Sequence, residues 1–157
     1  MNKERLHTEL IRKVTNDKCV VFDLDDTLCA PDWALHWENS DQFEPIVPMV
    51  DLAKMLKRHG YDIVIATARP STHVEPTLKW LAEHLPDFNA LYMSNADVYT
   101  KAEEAKEQQL LSIEEKWDIE FWCDDSPMNC EVVQSYGVPC LRPTRNDAYW
   151  NEVKKNA

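Results

Sequence analysis

Five short apolar runs punctuate the chain, at Cys19–Phe22, Tyr61–Ala66, Ala90–Met93, Ile119–Cys123 and Val138–Leu141. Each is brief and rich in β-branched or aromatic residues, which predicts strands buried on both faces. The longer stretches between them place apolar residues three and four positions apart. They predict helices over about 4–15, 47–59, 73–85, 101–113 and 127–136. Strands alternating with helices imply an α/β fold, a parallel five-stranded sheet with helices on both faces. The only two glycines, Gly60 and Gly137, each fall between a helical pattern and a strand, where a left-handed helix end favours glycine. Residues 28–46 are the exception. This Pro-, Trp- and acid-containing segment has no clean period and reads as a loop or flap.

With 157 residues, 44% of them hydrophobic, the chain has the size and apolar content of one compact domain over 1–157, its core over about 18–142. No run approaches the roughly 18 apolar residues of a membrane span, and the first residues lack a signal-peptide core, so a cytosolic location is expected. The five cysteines form no CxxC pair and are odd in number, which points to reduced thiols over a zinc site or disulfide framework. Cys29 lies near the acidic cluster described below, but with no paired histidine it reads as a small packing residue. A formal charge of −11 opposes nonspecific binding to a phosphate backbone, and no basic patch is visible along the sequence.

The strongest chemical signal is Cys19-Val20-Val21-Phe22-Asp23-Leu24-Asp25-Asp26-Thr27-Leu28, an apolar strand running directly into three carboxylates. Alternation along an extended chain puts Asp23 and Asp25 on one side, just beyond the strand's C-terminal edge, where α/β sheets bind ligands. A second acidic pair, Asp124-Asp125, ends the run Phe121-Trp122-Cys123. Carboxylates gathered in this way repel one another unless a hard cation or protonation compensates. Asp after a strand is also a common turn or cap residue, so either pair alone is open to both readings.

Taken in order, DxDxT as Asp23-Leu24-Asp25-Asp26-Thr27, a strand-ending Thr67, a helical lysine and the pair Asp124-Asp125 resemble the haloacid dehalogenase (HAD) superfamily. The resemblance covers residues 19 to about 142 and implies a three-layer, Rossmann-like fold. It also implies that Asp23 is a nucleophile forming an aspartyl-phosphate, while Asp25 protonates the leaving oxygen and then activates water. An Asp at position 25 fits phosphoryl transfer; the dehalogenases of the superfamily lack it. Mg²⁺ is implied at the Asp23 carboxylate, the Asp25 carbonyl and Asp125, with Asp124 and Asn129 in support. Thr67 is expected to donate to the phosphoryl oxygens and Arg69 to grip phosphate bidentately. For the lysine, Lys101 and Lys106 lie five residues apart and point about 140° apart on one helix. Lys106 shares a face with Ala102, Leu110 and Ile113. A lysine inside an apolar stripe needs a buried anionic partner, which favours Lys106.

Finer likeness, in Thr67-Ala68-Arg69-Pro70, Thr77-Leu78-Lys79-Trp80-Leu81, Leu91-Tyr92-Met93 and Cys123-Asp124-Asp125-Ser126, resembles the phosphatase domain of bacteriophage-type polynucleotide kinases and its small relatives. That implies a nucleotide or nucleic-acid 3′-phosphate as substrate. Two positions depart from the pattern. Ala34 stands about eleven residues after the nucleophile, where relatives carry a substrate-binding arginine, and Ala102 replaces an acid beside the lysine, leaving Glu103 nearest. Asp124-Asp125-Ser126-Pro127 also resembles phosphoprotein phosphatases of the superfamily. A general metabolite phosphatase and a non-catalytic binding module remain alternatives. Trp33 and Trp37 in the flap could stack on a base or simply pack. A short flap in place of a cap predicts an open site that can admit a large substrate end.

Overall fold

A computed structural model describes residues 7–32, 34–95 and 101–143. Its strands are β1 (His7–Ile11), β2 (Lys18–Phe22), β3 (Cys29–Ala30), β4 (Glu44–Pro45), β5 (Asp62–Pro70), β6 (Ala90–Ser94), β7 (Asp118–Cys123) and β8 (Cys140–Leu141). The helices are α1 (Val47–Arg58), α2 (Val74–His84), α3 (Ala102–Glu114) and α4 (Pro127–Ser135). Six strands form the main sheet in the order β1-β6-β5-β2-β7-β8. All neighbours are parallel except β1, which runs antiparallel along the edge of β6.

The alternation of side chains along the strands builds the three layers. Val20, Phe22, Ile63, Ile65, Leu91 and Met93 pack with Val50 and Ala53 of α1 and with Trp80 and Leu81 of α2. The intervening Cys19, Val21, Val64, Ala66, Ala90 and Tyr92 face Leu110 and Ile113 of α3 and Val133 of α4. Because β2 and β5 are buried on both faces, their continuous apolar runs are what parallel central strands require. Gly60 and Gly137 have φ of +94° and +80°, the left-handed geometry expected where α1 and α4 hand over to the next strand.

One element differs from the sequence expectation. The helix expected over about 4–15 is instead, in its described part, the strand β1 over His7–Ile11 followed by a loop over 12–15. Pairing of His7–Ile11 with Ala90–Ser94 supplies hydrogen bonds that outweigh local helical spacing. The sheet therefore has six strands instead of five. The loop after β1 is fastened by Asp62 at the start of β5, which accepts from Thr15 N (2.7 Å), Asn16 N (3.1 Å), Asn16 Nδ2 (2.9 Å) and Trp117 Nε1 (2.9 Å). Burial alone would raise the Asp62 carboxyl, but these donors outweigh it and hold it below the usual carboxylate range.

The flap folds back on itself through the short β3–β4 pair, with a 3-10 segment at Trp37–Gln42 between them. It is pinned to α2 by Trp80 Nε1 donating to the Phe43 carbonyl at 2.8 Å and by a Lys79–Asp41 ion pair at 3.2 Å. Trp33 lies outside the described residues. No helix among the described residues is long and apolar enough to cross a membrane.

Candidate active site

The first carboxylate emerges where β2 ends. Asp23 N donates to the Cys123 carbonyl of the neighbouring β7 at 2.8 Å, so the Asp23 and Asp124 ends of the two strands lie side by side. Beyond Asp23 the chain turns tightly. Leu28 N and Cys29 N both donate to the Leu24 carbonyl (2.8 and 3.0 Å), and Asp26 sits at φ +63°, a left-handed conformation that Asp tolerates better than most residues. This turn returns Thr27 to Asp23, where its hydroxyl lies 3.3 Å from Asp23 Oδ2 and 3.4 Å from Asp125 Oδ1.

Lys106, from the buried face of α3, is 1% exposed. Its ammonium lies 2.8 Å from Asp23 Oδ1 and 3.4 Å from Asp124 Oδ2, and it donates to the Ala66 carbonyl. Its three N–H bonds are thus accounted for. Burial alone would lower the Lys106 pKa, but the carboxylates of Asp23 and Asp124 outweigh it and keep the amine charged. Burial raises Asp23 well above the usual range, with Lys106 opposing and Asp124 reinforcing the rise. Glu103 is not among the Lys106 partners, and Lys101 is exposed at the start of α3.

Asp124 is fully buried and committed to protein donors. Ser126 N and Asn129 Nδ2 reach Oδ1 at 3.0 and 3.2 Å, and Trp122 Nε1 reaches Oδ2 at 3.5 Å. Ser126 also caps α4 by accepting from Asn129 N at 3.3 Å. Asp125 is only half-buried, and burial again raises its carboxyl above the usual range.

Asp25 is held from the other side. Arg69 Nη2 donates to Asp25 Oδ1 at 2.6 Å and Nε reaches Oδ2 at 3.4 Å. Arg69 Nη1 donates to Ser40 Oγ (3.0 Å) and Thr77 Oγ1 (2.7 Å). Four of the five guanidinium N–H bonds are engaged among the described residues, which leaves one on Nη2. A bidentate grip on phosphate is therefore replaced by at most one hydrogen bond. The Cys29 thiol approaches Asp25 Oδ1 at 3.4 Å, and burial pushes its pKa far up, so it has little thiolate character. Thr67 accepts from Arg69 N at 3.1 Å, so its own hydroxyl proton is available to a substrate.

A cavity of about 220 Å³ joins these groups, lined by Asp23, Asp25, Thr67, Arg69, Lys106, Asn129 and, from the flap, Trp37. Larger hollows lie elsewhere, one of about 370 Å³ around Arg12, Lys13, Lys57 and Asn89 and one of about 290 Å³ around Lys54, Lys57 and Arg58. The fold thus gathers a basic fringe that the sequence does not display. It lies at the N-terminal end of β5, about 20 Å along that strand from Arg69, and its cations are interleaved with Glu83, Asp87 and the Lys57 partner Asp62.

The donor set suits a hard divalent cation. Oxygens of Asp23, Asp124 and Asp125 lie within 4.8 Å of one another, against the single positive charge of Lys106. Asn129 Oδ1 is buried without a hydrogen-bond partner. Among the described residues no donor reaches the Asp25 carbonyl. All-oxygen ligands with surplus negative charge favour Mg²⁺ over softer metals.

Each site residue expected from the sequence, Asp23, Asp25, Thr67, Arg69, Lys106, Asp124, Asp125 and Asn129, is thus found around this cavity or its acidic wall. The sequence reading passed over Ser40, Thr77 and Gln109, whose Nε2 donates to the Thr67 carbonyl at 2.9 Å. Thr77 opens one of the segments that carried the family likeness, but its place at the site, like those of Ser40 and Gln109, comes only from long-range folding. Thr27 is different, because the DxDxT spacing itself contains it.

Known proteins share this fold. A protein from Mesorhizobium loti described as a HAD-like phosphatase matches the fold at TM-score 0.66 and 10% identity, covering 87% of this chain and 78% of its own. A chain of the Pnkp1/Rnl/Hen1 RNA repair complex matches at TM-score 0.74 and 25% identity over 94% of this chain. A second Pnkp1/Rnl/Hen1 structure matches at 0.73 and 26% identity over 83%. This chain spans about half the length of those two, 48% and 47% respectively. No curated protein sequence matches significantly. Fold and family together define a HAD-like phosphatase domain. Residues 17–147 match the family described as "Polynucleotide kinase PNKP phosphatase domain", and the chain belongs to that family.

Proposed function

We propose that this chain is a Mg²⁺-dependent phosphomonoester hydrolase domain that works through an aspartyl-phosphate on Asp23 and takes nucleotide or nucleic-acid 3′-phosphates. The observation that carries the reading is the buried Lys106–Asp23 pair at the mouth of β2, with Asp25 fixed nearby by Arg69. A structural ion pair has no need of a second, separately held carboxylate facing the same cavity.

In the first step an Asp23 oxygen attacks phosphorus as the bond from phosphorus to the ester oxygen breaks, and Asp25 delivers its proton to the departing oxygen. In the second step Asp25 takes a proton from water, the water oxygen attacks phosphorus, and the bond to Asp23 breaks to regenerate its carboxylate. Lys106 orients Asp23 and opposes the negative charge of the intermediate, while the Thr67 hydroxyl and the remaining Arg69 N–H donate to phosphoryl oxygens. Mg²⁺, held by the Asp23 and Asp125 carboxylates and the Asp25 carbonyl with Asp124 and Asn129 behind them, would neutralise phosphoryl charge. Asp124 suits the supporting place because both its oxygens already accept from protein donors.

The polynucleotide kinase family and the RNA repair setting of the two similar chains support a nucleic-acid end as substrate. The exposed Ala34, without a cationic head, limits contacts beyond the terminal phosphate and its nucleoside. A reducing, cytosolic compartment is part of this reading, and it keeps the Cys130 and Cys140 sulfurs, 2.7 Å apart, as thiols. Titration of fewer than five thiols in protein isolated without reductant would count against that compartment.

Turnover of a 3′-phosphorylated oligonucleotide, 3′- and 5′-mononucleotides and a phosphopeptide, each with Mg²⁺ and with EDTA, tests the whole reading. The expected result is highest kcat/KM on 3′-phosphates and no activity in EDTA. Preference for the phosphopeptide would replace the substrate assignment, and full activity in chelator would overturn the metal assignment.

A further inference from the structure

We infer that Ser40 and Thr77 are positioning residues for Asp25, acting through Arg69, so that the flap, α2 and the proton-transfer carboxylate form one connected unit. The inference rests on the acid–base role proposed above for Asp25.

Arg69 is 3% exposed, and its guanidinium joins three parts of the chain: Asp25 after β2, Ser40 in the flap and Thr77 in α2. The Thr77 hydroxyl donates its one proton to the His73 carbonyl at 2.7 Å, so a lone pair is fixed toward Arg69 Nη1, also 2.7 Å away. Ser40 is fully buried, and its Oγ accepts from the same Nη1. Two flap rings confine the guanidinium further, with its Cζ 5.0 Å from the Trp37 ring centre and 5.8 Å from that of Phe43.

A threonine hydroxyl bonded to the carbonyl four residues earlier is common in helices and has no functional meaning alone. Here the same oxygen also accepts from a buried cation whose opposite edge holds a carboxylate lining the cavity. The fork can keep both bonds to Asp25 while tilting, unless its far nitrogen is fixed. Ser40 and Thr77 supply that fixture. They decide where the Asp25 carboxyl points, and therefore how well it reaches the leaving oxygen.

The test compares Thr77→Val, Ser40→Ala and Thr77→Ser on a nucleoside 3′-phosphate and on p-nitrophenyl phosphate, whose leaving group needs little protonation. Thr77→Val and Ser40→Ala should lose about ten- to a hundredfold in kcat on the nucleotide and about threefold or less on the aryl ester, the scale set by misplacing a catalytic group. Thr77→Ser, which keeps the hydroxyl, should restore the nucleotide rate to within about threefold. In an Asp25→Asn background, Thr77→Val should add little further loss, because coupled residues are not additive. Ser40→Ala carries the comparison if Thr77→Val does not fold. Equal losses on both substrates, or no rescue by Thr77→Ser, would overturn the positioning role. If Asp25→Asn does not separate the two substrates, the acid–base reading falls and this inference with it. If Asp25→Asn separates them and neither hydroxyl variant does, this inference falls alone.

Discussion

Replacing Lys106 by Met keeps an apolar stem of similar length and deletes only the charge and its hydrogen bonds. At an effective dielectric of about 20, the attraction across 2.8 Å to Asp23 is about 6 kcal/mol, and that across 3.4 Å to Asp124 about 5 kcal/mol. Most of this offsets desolvation, so the measurable cost is that of breaking a buried pair, about 3–5 kcal/mol. For a domain of this size that is about 6–20 °C in Tm. In catalysis, losing one preorganised donor at the developing charge costs about a hundred- to a thousandfold in kcat. Lys101→Met is the control, because Lys101 is exposed and should change neither quantity beyond about 0.5 kcal/mol. Urea unfolding followed by tryptophan fluorescence gives the stability, and phosphate release gives the rate. The reasoning is refuted if Lys106→Met unfolds within about 1 kcal/mol of wild type and turns over within about tenfold, or if Lys101→Met is the inactive variant.

Three further outcomes follow from the same geometry. Asp25→Asn should slow alkyl phosphates more than aryl phosphates in steady-state kinetics, and equal losses on both would remove it from the proton-transfer role. Asp62→Ala should cost about 3–5 kcal/mol, because four donors lose their acceptor and Trp117 Nε1 is buried with it. Since the folded Asp62 pKa is depressed, its contribution is present above the unfolded value of about 3.9 and is lost as pH falls through the folded value. The stability gap between wild type and Asp62→Ala should shrink below pH ~4 in urea titrations, and a gap that widens there would contradict the sign. A 3′-phosphorylated dinucleotide should match a twelve-mer within about tenfold in kcat/KM, a difference of about 1.4 kcal/mol. A hundredfold preference for the twelve-mer that collapses with salt would mean that the basic fringe around Lys54, Lys57 and Arg58 engages the strand.

The parts legible in the sequence are those whose physics is local. The central strands β2 and β5 are buried on both faces and therefore read as unbroken apolar runs. The spacing over 127–136 foretells α4, and the apolar stripe on α3 singles out Lys106 over Lys101. β1 was not legible, because an edge strand only partly buried, with His7 inward and Thr8 exposed, shows no clear alternation and borrows its conformation from β6. The continuation of β5 to Pro70 was also hidden, since Thr67-Ala68-Arg69-Pro70 is half polar. The partners of Arg69 are separated from it by 29 residues at Ser40 and 44 at Asp25. A free arginine was the natural sequence reading, and only the fold reveals that most of its donors are already engaged.

The central claim is that phosphate passes through a covalent bond to Asp23. It is tested most directly by acid-quenching the enzyme during turnover of a 3′-phosphorylated nucleotide with Mg²⁺ and locating the modified residue by peptide mass spectrometry. The account predicts one added phosphoryl group on Asp23, more abundant in Asp25→Asn with an aryl phosphate and absent from Asp23→Asn, which should be folded and inactive. A phosphoryl group on another residue, or appreciable turnover by Asp23→Asn, would contradict it.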